Sequence, residues 1–218
     1  AIETRLAEVY RWAGQYERVA SLVAAPISRE MRASMHSAGE ALPSGAASAT
    51  VPLRPNEVFG LGRITIVVDG ESIEADIQPQ ASGLSLPSTM SIFGAVQVSG
   101  VRGDTTFAVV RVMAVGGVRL GPLPVILAPS VRVATIGLDV LGLLHPTFDA
   151  AAGSLTVRSA PHAPAGEQLP ILITFPGVSF VAAQGTSAVA LHSAAGRAAL
   201  RGARWTLDLS TGSLVIER

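Results

Sequence analysis

The residues that could hold a metal ion or transfer a proton are few and widely spaced along the chain. The four histidines are His36, His145, His162 and His192. They lack the short spacing of a zinc-binding helix, and no two of them lie close together beside a carboxylate. The chain has no cysteine, which excludes disulfides and thiolate chemistry. We therefore expect exposed structural histidines, and neither a metal nor a cofactor.

Motifs for a serine nucleophile and for a dinucleotide are incomplete. A nucleophile elbow needs Gly-x-Ser-x-Gly, and the nearest candidate, residues 83–87, lacks the second glycine. Gly60 and Gly62 do not continue into a dinucleotide fingerprint, and no alternation of strands and helices surrounds them. Asp139 is a candidate functional residue, although a loop Asp more often caps backbone amides.

The composition indicates a folded, β-rich chain. Of its 218 residues, 49% are hydrophobic and only 15% are charged, which is enough apolar material for a core. The net charge is zero, and no basic block stands out, so the electrostatic signature of a nucleic-acid-binding protein is absent. The two long uncharged stretches, 77–101 and 168–196, are broken by Pro, Gly and Ser, so we expect no transmembrane span.

The first 38 residues are predicted to be helical. Apolar residues are spaced for one helix face at Leu6, Val9, Tyr10 and Ala13. Gly14 interrupts this pattern, and a second apolar face runs up to Pro26. The segment resembles half of a tetratricopeptide-type hairpin, but a single copy cannot bury its own face. A helical pair packed on the main domain is therefore the favoured interpretation.

The rest of the chain is predicted to be mainly β. Its expected parts are a linker at 39–60, a β domain at 61–158, a second linker at 159–168 and a C-terminal β segment at 169–218. Asp69-Gly70, between two alternating Val/Ile runs, predicts a hairpin. The pattern Thr-x-Asp-x-x-x-Gly-Ser-Leu occurs at both 147–155 and 206–214, which indicates a duplicated β unit.

The segments 81–87, 115–125, 136–141 and 146–157 together resemble bacterial retropepsin-like aspartic proteases, in the order that the family has them. The segment 81–87 is similar to the end of the family's Asp-Thr-Gly-Ala-Ser motif and the strand after it. The segment 115–125 resembles the hairpin after the flap, 136–141 resembles the hydrophobic-hydrophobic-Gly segment beside the catalytic loop, and 146–157 resembles the closing hairpin. The resemblance implies a retropepsin-like acid-protease β-barrel, here with an N-terminal helical segment and a short C-terminal β segment.

The same alignment implies that the catalytic motif is degenerate. The family's Asp-Thr-Gly falls on Gln78, Pro79 and Gln80. In that family two Asp residues hold a water and share a proton, one as base and one as acid. A Gln amide does not titrate and cannot take the water's proton. Asp76 is the fallback, but it lies two residues away, roughly 6.6 Å along a strand.

Two further expectations rest on the resemblance. Residues 183–191 can be aligned with the same motif. This alignment places Ala183 at the position of the second catalytic Asp, so both halves would lack the catalytic carboxylate. A peptide-binding cleft is predicted from the turn and the flap, at Ala81, Ser82, Gly100, Arg102 and Gly103. The alternative for the flap residues is an ordinary hairpin tip.

These expectations lead to three hypotheses for function. The first is a noncatalytic protein that binds other proteins, as a scaffold or accessory subunit of an extracytoplasmic (periplasmic) or membrane-associated complex. Its placement draws on the resemblance and on the start at Ala1, which fits a processed secreted protein or a trimmed chain. The second is an active homodimeric aspartic endopeptidase that uses Asp76. The third is a structural β domain with a closed cleft.

Overall fold

A computed structural model describes most of the chain, namely residues 2–22, 28–55, 61–92, 96–97, 105–162, 164–174, 177–181, 188–191, 193–209 and 211–217. The helices are α1 Ile2–Trp12, α2 Tyr16–Ser21, α3 Arg29–Ala38, α4 Leu138–Leu141 and α5 Ala194–Leu200, with a 3-10 turn at Gly142–Leu144. The first nine strands are β1 Leu42–Gly45, β2 Ser48–Pro52, β3 Gly62–Val68, β4 Glu71–Gln78, β5 Leu84–Pro87, β6 Val96–Gln97, β7 Thr106–Val110, β8 Met113–Val115 and β9 Val118–Gly121. The others are β10 Leu123–Ala128, β11 Ala134–Gly137, β12 Thr147–Asp149, β13 Ser154–Arg158, β14 Glu167–Thr174, β15 Gly177–Val181, β16 Ala188–Ala190, β17 Arg204–Asp208 and β18 Ser213–Glu217. The predicted fold class, mainly β with an N-terminal helical segment and short C-terminal strands, is confirmed.

Helix α3 begins and ends where the sequence provides caps. The Ser28 hydroxyl accepts a hydrogen bond from the Met31 N–H at 3.1 Å and starts α3, which ends at Gly39 with φ +68°. Gly14, with φ +70°, follows α1. Helix α3 packs on β7 and β10, as expected for helices that cover the main domain.

The orientation of α1 differs from the simple amphipathic prediction. Leu6 and Val9, predicted to be on the buried face, are 36% and 60% exposed. The buried face is the one that carries Ala7, which is 4% exposed. A small residue there lets the helix backbone come close to its neighbours.

The larger sheet curls into a half-barrel. Within the described residues its strand order is β1-β9-β8-β3-β4-β11-β5-β10-β7-β6. The predicted Asp69-Gly70 hairpin joins β3 and β4, and both turn residues have positive φ, 47° and 97°, as a two-residue hairpin turn requires. β4 pairs in parallel with β11, and β11 pairs with β5, so the end of β4 and the start of β5 lie beside residue 137.

The second sheet joins the duplicated hairpins. Its order in the described chain is β16-β15-β14-β18-β17-β12-β13-β2. The two copies of the repeated motif form the hairpins β12–β13 and β17–β18, and β12 pairs with β17 so that Thr147 lies opposite Thr206. The hydroxyls of these two threonines lie 2.7 Å apart, and Phe148 stacks on Trp205 with ring centroids 4.1 Å apart. The repeat is therefore two hairpins that pair with each other.

The segment 39–60, expected to be a linker, contains two strands. β1 pairs with β9 at the edge of the larger sheet, and β2 pairs with β13 at the edge of the second sheet. Both strands are largely exposed, so they need no alternating apolar pattern and are held by backbone hydrogen bonds. The proposed division into domains at residues 61, 158 and 169 stays a prediction.

His145, expected to be an exposed structural residue, is partly buried after the 3-10 turn, with φ +44°. Burial lowers the pKa of His145 below its usual value because it penalises the charged imidazolium. The nearby Arg158 adds to this effect, and Asp208 opposes it.

Candidate functional site

The turn between β4 and β5 is where the sequence predicts the degenerate motif. Gln78 ends β4 and lies opposite Gly137 of β11. The Ala81 N–H donates to the Gln78 carbonyl oxygen at 3.0 Å, which closes the turn. The Gly137 N–H donates to the Gly83 carbonyl oxygen at 2.8 Å. Two of the four segments that carry the resemblance are thus in direct contact at this turn.

The three residues aligned with Asp-Thr-Gly lie at the end of β4 and in the turn. Gln78 and Gln80 are partly buried and Pro79 is buried. The side-chain oxygen of Gln80 is buried without a hydrogen-bond partner among the described residues. Amides can donate and accept hydrogen bonds at this point, but they do not take or release a proton near neutral pH.

Asp76 is held by an ion pair across β3 and β4. Its carboxylate accepts from Arg63 Nε at 2.7 Å and from Arg63 Nη2 at 3.2 Å. The Asp76 side chain is 13% exposed. The hydrogen bond and charge of Asp76 raise the pKa of Arg63, and Arg63 also lies 3.6 Å from Glu74. The geometry of Asp76 is that of one partner in a bidentate arginine pair.

Asp139 lies at the turn, and its carboxylate accepts hydrogen bonds from backbone amides. This capping role is the one that the sequence analysis favours over a functional one. It is 2% exposed. Its carboxylate oxygens accept from the Gly83 N–H and the Ser82 hydroxyl, each at 2.9 Å, and from the Val140 N–H at 3.0 Å. Burial raises the pKa of Asp139, and these donors with Arg11 oppose the rise. The hydrogen bonds of Asp139 therefore connect the β4–β5 turn to the start of α4.

The N-terminal helices complete the site, and sequence reasoning missed this. Arg11 of α1 donates through Nη1 to the Ser82 hydroxyl at 2.9 Å, so Ser82 links Arg11 to Asp139. Tyr16, at the start of α2, is 2% exposed. Burial raises the pKa of Tyr16, and the charge of Asp139 adds to the rise, so its hydroxyl stays protonated. Arg11 is 71 positions from Ser82, and no local pattern in the sequence reports such a contact.

A cavity of about 310 Å³ lies between these helices and the larger sheet. Arg11, Tyr16, Ser82 and Asp139 contribute its polar wall. Residues of α3, β5, β7 and β10 form the mainly apolar remainder of its lining. The polar groups and the cavity make this the candidate binding site of the described chain.

The other predicted site residues have separate outcomes. Ala81 and Ser82 lie in the turn, as predicted, whereas Gly100, Arg102 and Gly103 lie outside the described residues. So does most of the second motif alignment, including Ala183. No cluster of three His, Asp or Glu that could bind a metal ion occurs in the described part of the chain. The helices in that part are all too short or too polar to cross a lipid bilayer.

Comparison with known proteins finds similarity in structure. No protein-family model matches the chain, and no curated protein matches it in sequence. One matching solved structure is a retropepsin-like aspartic protease from Rickettsia conorii, with 10% sequence identity and a TM-score of 0.39. The match covers 52% of this chain and 93% of that chain.

Proposed function

We propose that this chain is a noncatalytic protein with an aspartic-protease-like fold that binds another protein, as a scaffold or accessory subunit. The observation that carries the proposal is the chemistry of the β4–β5 turn. Gln78 stands where the family resemblance expects the catalytic carboxylate. The carboxylate of Asp76 is paired with Arg63, and that of Asp139 accepts hydrogen bonds from the turn itself. The turn therefore has no carboxylate free to activate a water.

The hydrogen bonds of the two carboxylates support this proposal. An aspartic protease needs two carboxylates that face one water and share a proton. Asp139 is buried, and its oxygens already accept hydrogen bonds from Ser82, Gly83 and Val140, so they serve as structural acceptors. Asp76 is paired with Arg63 through two hydrogen bonds, which disfavours the alternative of an endopeptidase that uses Asp76.

An exposed apolar stripe on α1 supports the binding half of the proposal. Ile2, Leu6 and Val9 follow the spacing of one helix face and are 84%, 36% and 60% exposed. Apolar helix faces of this kind commonly pack against a partner's apolar surface. Placement outside the cytoplasm, in a membrane-associated assembly, is part of the proposal and rests on the sequence resemblance.

We expect the purified chain to leave an unfolded protein substrate uncut across about pH 3 to 7, the range in which carboxylate pairs act. The measurement is mass spectrometry of the products, with and without a transition-state inhibitor of aspartic proteases. An active aspartic protease in parallel reactions shows that the assay detects cleavage.

Inhibitor-sensitive cleavage that is abolished by Asp76→Asn would contradict the noncatalytic part of the proposal. Glu74→Gln is the matched control, because Glu74 lies on the same strand and also contacts Arg63. Loss of activity in Asp76→Asn alone would identify a catalytic carboxylate, whereas equal loss in both variants would point to the ion-pair cluster.

The binding half is tested by native mass spectrometry of the protein isolated from its own cells. We expect a heteromeric mass that falls to the monomer mass in Val9→Ser, because this change removes apolar surface from the stripe. Ala13→Ser, also exposed and just beyond the end of α1, is the control. A wild-type protein found only as a free monomer would contradict the proposal.

A further inference from the structure

The cavity beneath the N-terminal helices has the size and the lining of a small-molecule site. Its volume of about 310 Å³ lies at the lower end of the range for ligand pockets, roughly 300 to 1,000 Å³. Its apolar lining includes Ala7, Met31, Met35, Leu84, Phe107 and Val125. A mainly apolar pocket with a few polar groups on one wall is the usual form of such sites.

Two hydrogen-bond donors on the polar wall have no partner in the described structure. The Tyr16 hydroxyl and Arg11 Nε are both buried without a hydrogen bond, although Arg11 Nη1 donates a hydrogen bond to the Ser82 hydroxyl. Tyr16 is 2% exposed, so its hydroxyl has no access to bulk solvent. Buried donors without acceptors are rare and cost stability, so each one requires an explanation.

The charges around these donors favour an uncharged acceptor. Arg11 is connected to Asp139 through Ser82, so its positive charge is already opposed inside the site. Glu8 adds a second carboxylate to the lining. An anionic ligand would meet the carboxylates of Glu8 and Asp139, and a cationic ligand would meet the Arg11 guanidinium. A neutral carbonyl oxygen can accept two hydrogen bonds without adding a charge.

We propose that the cavity binds a small, uncharged, largely apolar molecule whose carbonyl oxygen accepts hydrogen bonds from the Tyr16 hydroxyl and Arg11 Nε. Aliphatic amides and ketones are the ligand class with this chemistry. The apolar tail would lie against Met31, Met35 and Phe107. The inference is independent of catalysis and of the α1 stripe, because it uses the opposite face of α1.

Octanamide is a suitable probe, titrated into the full chain by isothermal titration calorimetry, with octanoate as the charged comparison. We expect saturable octanamide binding that weakens about tenfold in Tyr16→Phe, the loss of one buried hydrogen bond. The same variant is expected to raise the Tm of the free protein by about 2 to 4 °C, because it removes an unsatisfied buried hydroxyl. A merely structural Tyr16 would lower the Tm instead.

Tyr10→Phe is the matched control. Tyr10 lies on α1, in the same N-terminal helical segment, with the Arg18 guanidinium over its ring, and it does not line the cavity. It should leave octanamide binding unchanged. Absence of saturable binding, equal affinity in Tyr16→Phe and wild type, or tighter binding of octanoate than of octanamide would each overturn the inference. A lower Tm for Tyr16→Phe would also overturn it, since the hydroxyl would then have a partner in the free protein.

Discussion

Asp139→Ala is expected to lower the free energy of unfolding by about 3 to 5 kcal/mol. The carboxylate is buried and accepts from the Ser82 hydroxyl and from the N–H groups of Gly83 and Val140. Ala would leave these donors buried and unpaired, and it would leave the Arg11 charge without its opposing carboxylate. Urea denaturation followed by circular dichroism measures the loss. A change below about 1 kcal/mol would show that the turn does not depend on this residue.

Asp139→Asn separates the hydrogen bonds from the charge. Because burial raises the pKa of Asp139, the folded chain holds this proton more tightly than the unfolded chain, whose value is near 3.8. The contribution of Asp139 to the free energy of unfolding is therefore largest at acid pH. It falls as the pH rises from about 3.8 towards the pKa of Asp139 in the folded chain. The stability difference between wild type and Asp139→Asn should narrow over that window. A difference that widens with rising pH would contradict the stated pKa direction.

Gly137→Ala is expected to cost about 3 kcal/mol, the second large effect. A Cβ at residue 137 would lie 2.6 Å from the Ala81 carbonyl oxygen and would also overlap Asp139 Oδ1. Neither atom can move freely, since one is backbone and the other is fixed by hydrogen bonds. The substitution would therefore push β11 away from the turn. The free energy of unfolding from urea denaturation is again the measurement.

Gly83→Ala is the control for this prediction. Gly83 lies in the same turn, but a Cβ added there would meet no described atom within 4 Å, so only its φ of +77° penalises Ala. We expect a cost of about 1 kcal/mol from the left-handed backbone. Equal costs for the two variants would show that the close approach at residue 137 does not limit stability.

Local signals in the sequence predict the elements that local chemistry determines. The Asp69-Gly70 hairpin follows from the ease with which these two residues adopt positive φ, and α3 begins at a serine cap. The repeated Thr-x-Asp motif predicts two equivalent hairpins, because each copy contains the residues of its own turn. The role of Asp139 as a cap follows from the general preference of loop Asp residues for backbone amides.

Contacts between distant segments could not be predicted in this way. Arg11 contacts the β4–β5 turn, and Tyr16 joins the same cavity, only after the helices pack on the sheet. Nothing near them in sequence marks this arrangement. The edge strands β1 and β2 resemble a linker in the sequence for a related reason. Their pairing uses backbone groups, which every residue carries, so small and polar side chains do not reveal it.

The passage of residues 42–52 from one sheet to the other has a practical consequence for truncation. β1 covers the edge of β9 and β2 covers the edge of β13, with two residues between the strands. A shortened protein that starts at residue 61 would expose both of these edges at once. Bare strand edges recruit other chains, so such a fragment would tend to aggregate through these edges.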